Sequence, residues 1–572
     1  ILDTTNQEPL FGANIILVGT SFGASSDING DFRVINIPVG KYTLKASYIS
    51  YNNTEISIEV TENKTVNVSI ELESQVIELG QEVTISAQSS GQASAINQQL
   101  TSEAIVNVVS AEKMLEFPDA NVAESVARLP GVSIIRDGGE GSGVVVRGLS
   151  PKFSKITVDG IDMASSGAAS RGANLSGIAQ ENLGGIELYK SPTADMDGEA
   201  IGGTINLMTS KAPNRTTSIF RGFGFYNELE KSAGQYSLFG KYSQRFADNN
   251  FGIQASINLE SRDRSVDDFN GSYILGATDV NGIAPLTISS SAVSDIIETR
   301  GRIGGNLILD YNVGNGFIMF SSFLSKTTRD VLERSRSLSI ANVSGDLRIR
   351  ETERALQSYV NTLRGEHQFL TLETDWSLSF SYSRNERPFD HWIRFNERIQ
   401  LPNINDVPLN QNAVDYYNKV DVVSNSLIDE TRFMKEDVQE RNFTGQLNFK
   451  YHFSFSSDIS GYIKFGGKHK HINRNRNYEE AQLWAYLYPE WNTLTALDFL
   501  DTEYKPENFL RGKADLGIIL DAERNKSFYN QYSSSDQYIN SIFYAYRSSV
   551  GTSAGIPNYK VKENVSAFYV MP

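Results

Sequence analysis

The chain of 572 residues contains no cysteine, so neither a disulfide framework nor a thiolate metal site can be built from it. It has only five histidines and four tryptophans, which leaves little material for a catalytic or zinc centre. No apolar run reaches the roughly 18 residues that a transmembrane helix requires. Positive charge is short: 52 Lys and Arg stand against 68 Asp and Glu, and a net charge of -16 speaks against nucleic acid as the main partner. The chain starts at Ile1 without a methionine or a charged-then-apolar leader. Any export signal is therefore expected to lie outside this sequence.

Catalytic signatures are missing too. There is no GxSxG before a helix, no HExxH, and no Ser/His/Asp set joined by spacing. "GGEGSG" (138–143) invites a phosphate-loop reading, but such a loop opens a helix, and this one opens the strand-like "VVVRG". A hairpin turn is the better expectation. His469 and His471 share one strand face and could meet a metal at a lumen wall; two polar wall residues are the plainer alternative.

What is present is alternation. In residues 1–73, "GANIILVGT", "DFRVINIP", "KYTLKASYISY", "TEISIEV" and "KTVNVSIEL" read as short strands between turn signals, predicting a small β-sandwich. Residues 74–105 form a Ser/Gln/Ala/Gly-rich linker that carries "EVTISA", Glu82-Val83-Thr84-Ile85-Ser86-Ala87. Residues 106–213 read as a small α/β domain. Its helix is capped by Asp119 or Asn121, with Val122, Val126 and Leu129 on one face. Four short strands follow, in "GVVVRGL", "KITVDGI", "GGIELYK" and "GGTINLMT". Between the last two lies a pliable crossing of Ser, Thr, Ala, Asp and Gly (Ser191–Gly203).

From 214 to 572, ten segments alternate greasy and polar at about the length of a tilted membrane strand. They are 217–226, 235–246, 250–261, 301–313, 316–327, 358–370, 374–385, 441–453, 459–473 and 563–571. In "WSLSFSYSR", Trp376, Leu378, Phe380 and Tyr382 oppose a row of serines. The connections alternate in length. Short ones fall at 247–250, 314–316 and 454–458, and long ones at 262–300, 328–357, 386–440 and 474–562. That parity is the pattern of an outer-membrane β-barrel and has no counterpart in a soluble sandwich.

"NVAESVARLPGVSIIRDGGEGSGVVVRGLSPKFSKITVDGIDM", followed by "IELYKSPTADMDGEAIGGTINLMT", resembles the plug domain of TonB-dependent outer-membrane receptors. The closest likeness is to the subfamily first defined in Xanthomonas and Caulobacter types. "KFGGKHKHINRNRN" and "YKVKENVSAFYVMP" resemble barrel segments of that subfamily. "SSDINGDFRVINIPVGKYTLKASYISY" is similar to a carboxypeptidase-regulatory-like domain, the usual companion in Bacteroidetes members.

The resemblance implies a mainly β protein with a sandwich, a plug, and the first part of a barrel that closes in this family at about 22 strands. Strands are therefore expected to be missing beyond Pro572. The implied function is TonB-dependent active transport of a scarce solute, a carbohydrate or a siderophore, with no enzyme activity and no cofactor or bound metal. A structural or secretion-associated barrel gated by its plug is the alternative. The implied partners are TonB, outer-membrane lipid and the solute. The match to the starch-utilisation type is not close, so a surface lipoprotein is not specifically implied.

The implied location is the outer membrane, with the sandwich in the periplasm. The strand near 217–226 should run outward and the long loops should lie outside the cell. Glu82–Ala87 is the expected TonB box, because its β-branched residues can become a strand on demand; a last strand of the preceding sandwich is the other reading. The resemblance implies that Arg147 pairs with barrel glutamates; an ordinary surface arginine is the other reading. Arg171, Trp392, Trp484, Tyr486, Tyr488 and Trp491 are the expected solute contacts, the aromatics because their faces stack on flat or sugar rings. A self-packed loop core or a membrane-interface girdle is the other reading of the aromatics.

Overall fold

The computed structural model describes residues 1–73, 105–401, 413–533 and 558–571, apart from single positions and short stretches within them. Glu82–Ala87 and Arg171 lie outside the described residues.

The first region is built from β1 (Leu2–Asp3), β2 (Asn14–Leu17), β3 (Gly23–Ser25), β4 (Gly40–Ser47), β5 (Thr54–Val60) and β6 (Glu71–Leu72). Four strands pair in the order β3-β2-β4-β5, and β1 pairs in parallel with β6. Ile15, Leu17, Leu44 and Leu72 fill the core between them. Two expected strands are corrected. Residues 31–35 of "DFRVINIP" join no ladder, and "KTVNVSIEL" reaches strand geometry only at Glu71–Leu72. Their alternation is used for packing instead. Phe32, Val34, Ile37 and Val68 lean on the core without a partner strand.

The α/β domain follows, with β7 (Val106–Ser110), α1 (Ala111–Leu115), α2 (Val122–Val126), β8 (Val132–Asp137), β9 (Glu140–Val146), β10 (Ser154–Val158), β11 (Ile161–Asp162), β12 (Gly185–Tyr189) and β13 (Gly203–Met208). Asn121, not Asp119, caps α2 through its side-chain oxygen. Asp119 instead accepts from Ser125 Oγ at 3.1 Å and pairs with Arg128. The sheet order is β11-β10-β13-β12-β7, and β8 and β9 form a separate hairpin. Val122, Val126, Ile186, Leu188, Ile205 and Leu207 close the core.

The remainder is one large antiparallel sheet, here called the wall. Its strands are β14 (Thr217–Asn227), β15 (Ser232–Phe246), β16 (Phe251–Asp263), β17 (Val266–Leu275), β18 (Leu286–Val313), β19 (Gly316–Ser339), β20 (Ser344–Phe369), β21 (Leu372–Gln400), β22 (Asp421–Val422), β23 (Leu427–Ser456), β24 (Ile459–Trp484) and β25 (Tyr559–Met571). All ten expected segments fall on the main path, with β17 and β22 as side branches. β14 and β25 stand at the two ends, and no pairing joins them among the described residues, so the wall is open.

The expected long loops need correction. Much of 286–300, 328–357, 386–400, 427–440 and 474–484 is strand, continuing the hairpins beyond the expected crossing segments. The greasy stripe of each strand ends at about the bilayer length, but backbone pairing does not need that stripe to continue. α3 (Ala413–Tyr417) and α4 (Ala522–Tyr532) sit among these extensions.

The wall is inverted relative to a globular sheet. Ser243, Gln254, Asn258, Asn306, Ser379, Ser381 and Ser383 are buried on one face, while Phe220, Ile257, Leu378, Phe443 and Phe568 are exposed on the other. Strict alternation sorts the two sets, because successive side chains point to opposite faces.

Candidate functional site

The wall curves around the α/β domain, which is held mainly by polar contacts. Strands β16, β18, β19, β21, β23 and β24 each reach it with a side chain. Among the described residues, Phe323 and Val360 are the buried wall side chains that pack into the domain core.

The first seam is the β8–β9 hairpin. Glu140 is 2% exposed and meets Arg264, Arg302 and Arg300, the last at 2.7 Å. Asp137 pairs with Arg329. Glu298 of the wall completes the network, at 2.5 Å from Arg300 and 2.8 Å from Arg329. Burial pushes the Glu140 carboxyl up, but the charges of Arg302, Arg300 and Arg264 outweigh it and hold the group below its ordinary range. Asp137 is lowered in the same way, burial being outweighed by Arg329.

The second seam lies on the opposite flank and involves the pliable crossing. Asp195 pairs with Lys464 at 2.5 Å, and Asp197 with Lys468 at 3.1 Å and with Lys155 of β10. Asp162 pairs with Lys470 at 2.6 Å. Burial raises both Asp195 and Asp197, and their lysine partners bring them below the ordinary range. A crossing without regular structure is thus tied to one wall strand at two points.

The third seam is neutral. Asn182 Nδ2 donates to Asn258 Oδ1 at 2.8 Å, Asn306 Nδ2 to the Asn182 carbonyl at 2.6 Å, and Ser325 Oγ to the Gly177 carbonyl at 2.6 Å. A Cβ on Gly177 would lie 2.7 Å from both Ser325 Oγ and Thr327 Oγ1, so only glycine permits this approach of backbone to wall.

The residues singled out in the sequence fare unevenly. Among the described residues Arg147 pairs with no wall glutamate. It is exposed at a turn with φ 54°, its N–H donating to the Gly131 carbonyl at 2.9 Å, and the polarity of the seam is reversed, with carboxylates on the domain and guanidinium groups on the wall. Trp491 is 0% exposed and stacks on Tyr488 at 4.2 Å, so both are core residues of the folded strand extensions. Trp392 is buried as well. Trp484 stays partly accessible beside the exposed Tyr486, with ring centres 6.4 Å apart. His469 and His471 face away from the α/β domain, opposite to the lysines of their own strand, and bond to Ser566 at 2.8 Å and Asn564 at 2.7 Å. Among the described residues no group of three or more His, Asp or Glu is placed to hold a metal ion.

Glu140, Asp137 and their arginines escaped the sequence reading. The available signal was weak: a lone acidic residue in a glycine-rich turn, and arginines at polar-face positions of strands.

Residues 1–85 match the CarboxypepD_reg-like domain, and residues 98–204 match the TonB-dependent Receptor Plug Domain. The vitamin B12 transporter BtuB of Vibrio vulnificus is 32% identical over 132 residues, covering 23% of this chain and 21% of that protein. The TonB-dependent receptor SusC of Bacteroides thetaiotaomicron is 26% identical over 223 residues, covering 37% of this chain and 21% of that protein. The matched stretches thus span about a fifth of the length of these curated relatives. The solved structure of the ferric yersiniabactin uptake receptor FyuA from Yersinia pestis aligns at 12% identity with a TM-score of 0.32, covering 66% of this chain and 58% of that one.

Proposed function

We propose that this chain, which belongs to the TonB-dependent receptors, performs TonB-dependent active transport of a scarce solute across the outer membrane. The carrying observation is that a plug with its own apolar core is gripped by the wall through charged and polar contacts. Such contacts can be exchanged for water or solute without unfolding the body that makes them. The exposed apolar face of the wall meets lipid, and the polar face lines the path. The N-terminal sandwich stands on the periplasmic side, near the short turns, where Arg33 donates to the Asn315 carbonyl at 2.5 Å.

Glu82–Ala87 is the TonB box in this reading. It adds as a strand to TonB, and the pull reaches the plug through residues 88–110. The strand extensions face the cell exterior. The solute is a carbohydrate or a siderophore, and it passes without covalent change. Trp484 and Tyr486, which keep accessible ring surface, are the proposed aromatic contacts to it.

The test uses the full-length protein in cells, with growth on a panel of glycans as sole carbon source and ferric siderophores as sole iron source. Deleting the gene should abolish growth on one of them. Thr84→Pro removes the strand's capacity to pair. It should leave surface binding intact and stop uptake. Normal uptake by that variant would defeat the TonB-box assignment.

A further inference from the structure

Five arginines lie in one row across five neighbouring wall strands. Arg262 of β16 stands opposite Arg300 of β18, Arg300 opposite Arg329 of β19, and Arg329 opposite Arg354 of β20. The fifth, Arg387, falls in the bulge of β21 beside Arg354. Residues directly opposite in a ladder share a face. The shared face is the one turned to the plug, since Arg300 and Arg329 touch the plug hairpin. Like charges directly opposite are destabilising, so such a row persists only with counter-charge.

Most of that charge can be named. Glu260 serves Arg262 at 3.4 Å, Glu298 serves Arg300 and Arg329, and Asp390 and Glu436 serve Arg387 at 2.7 and 2.9 Å. The remainder, Asp137 and Glu140, comes from the plug rather than from the wall. Arg354 makes no ion pair among the described residues, and its Nε has no hydrogen-bond partner. Burial lowers its affinity for the proton, as do Arg387 and Arg329 beside it, and the charge of Asp390 offsets this only in part.

We propose that this row binds an anionic group of the solute, a carboxylate or a phosphate, with Arg354 as the open position, and that the solute takes over guanidinium groups that Asp137 and Glu140 occupy at rest. The inference rests on the transporter reading and deepens it, because it names the charge of the solute and couples its arrival to release of the β8–β9 hairpin. The plug carboxylates act as resident competitors. A bound acid anchored at Arg354 lies one strand from Arg329, and a second anionic group on the same molecule displaces Asp137 there. Loss of the hairpin's grip at Arg329 then weakens its hold on Arg300 and Arg302, which share the same network through Glu298 and Glu140.

The test is calorimetric titration of the full-length protein in detergent, at constant ionic strength, with trigalacturonate, its trimethyl ester and inorganic phosphate. Heat-modifiable gel migration checks that each variant is folded. The wild type should bind trigalacturonate or phosphate at least tenfold more tightly than the ester, and the stronger of the two acids tells carboxylate from phosphate. Arg354→Gln should weaken that acid at least tenfold, and Arg354→Lys should restore part of the loss. Glu140→Gln should tighten it several-fold, because a competitor is gone; a merely structural Glu140 would not produce a gain. Equal binding of acid and ester overturns the proposal. So does failure of both acids to bind the wild type and the Glu140→Gln variant, or a Glu140→Gln variant with unchanged or weaker binding. Thr84→Pro should leave all these affinities unaltered, so uptake that persists in Thr84→Pro, alongside selective binding of acid, refutes the TonB step and leaves the anion site standing.

Discussion

The core of the plug and its seam with the wall are built from opposite materials. Inside, Ile186, Leu188, Ile205 and Leu207 are fully buried and uncharged. At the seam, Glu140, Arg300 and Arg302 are nearly as buried and all carry charge. Apolar burial is non-directional and survives small shifts. A buried ion pair depends on geometry, and replacing it by apolar contact is often neutral or stabilising. The wall could have gripped the plug with Leu and Val. It grips with Arg and Lys, which keeps the body of the plug intact while leaving its attachment exchangeable.

The sharpest way to break this contrast is to put charge into the core. Ile205→Asp places an unpartnered carboxyl in the plug sheet, where Ile205 is 0% exposed. The expected cost exceeds about 4 kcal/mol. Hydrogen exchange should show plug strands β10, β12 and β13 losing protection while wall strands keep theirs. Native protection in the plug would mean that its core tolerates what the seam is made of.

The next test removes charge from the seam. Glu140→Gln strands the guanidinium groups of Arg264, Arg300 and Arg302 and should weaken plug attachment by about 3 kcal/mol. A urea titration that follows plug release should shift to lower midpoint, with the protection of the isolated plug core unchanged. If the core melts in step, seam and core are one cooperative unit.

The mildest perturbation is acid. Glu140 lies below its ordinary 4.5, and Asp137, Asp195 and Asp197 lie below their ordinary 3.8. Groups with depressed folded-state values contribute stability that is complete above those ordinary values and is lost as pH falls below them. Plug release should therefore become easier as pH falls below about 4.5, without a matching loss in the uncharged core. A release midpoint that does not change over this interval would show that the ion pairs contribute nothing net.

Much of the architecture was legible in advance. All ten wall segments, the parity of their connections and a helix cap at Asp119 or Asn121 could be read from local pattern, because alternation and caps involve residues only a few positions apart. Trp491 and Tyr488 were misplaced as solute contacts for the complementary reason. An aromatic-rich loop looks the same in sequence whether its rings face solvent or, as here, pack with Phe395, Phe499 and Phe528. Arg147 was misplaced because an arginine after "VVV" carries no mark of the φ 54° turn that points it away.

Sequence alone settled which faces of the wall strands are polar, since a period of two residues is a local property of the chain. It also put Val122, Val126 and Leu129 on one apolar face of the plug's capped helix. Only the tertiary structure decided that Arg262, Arg300, Arg329, Arg354 and Arg387 form a row, and that Glu140 completes it from within the plug. These contacts join residues far apart in the chain, and their alignment depends on strand register. Register is set by turns and bulges elsewhere, and a slip of one residue would have turned each of those arginines toward the outer face.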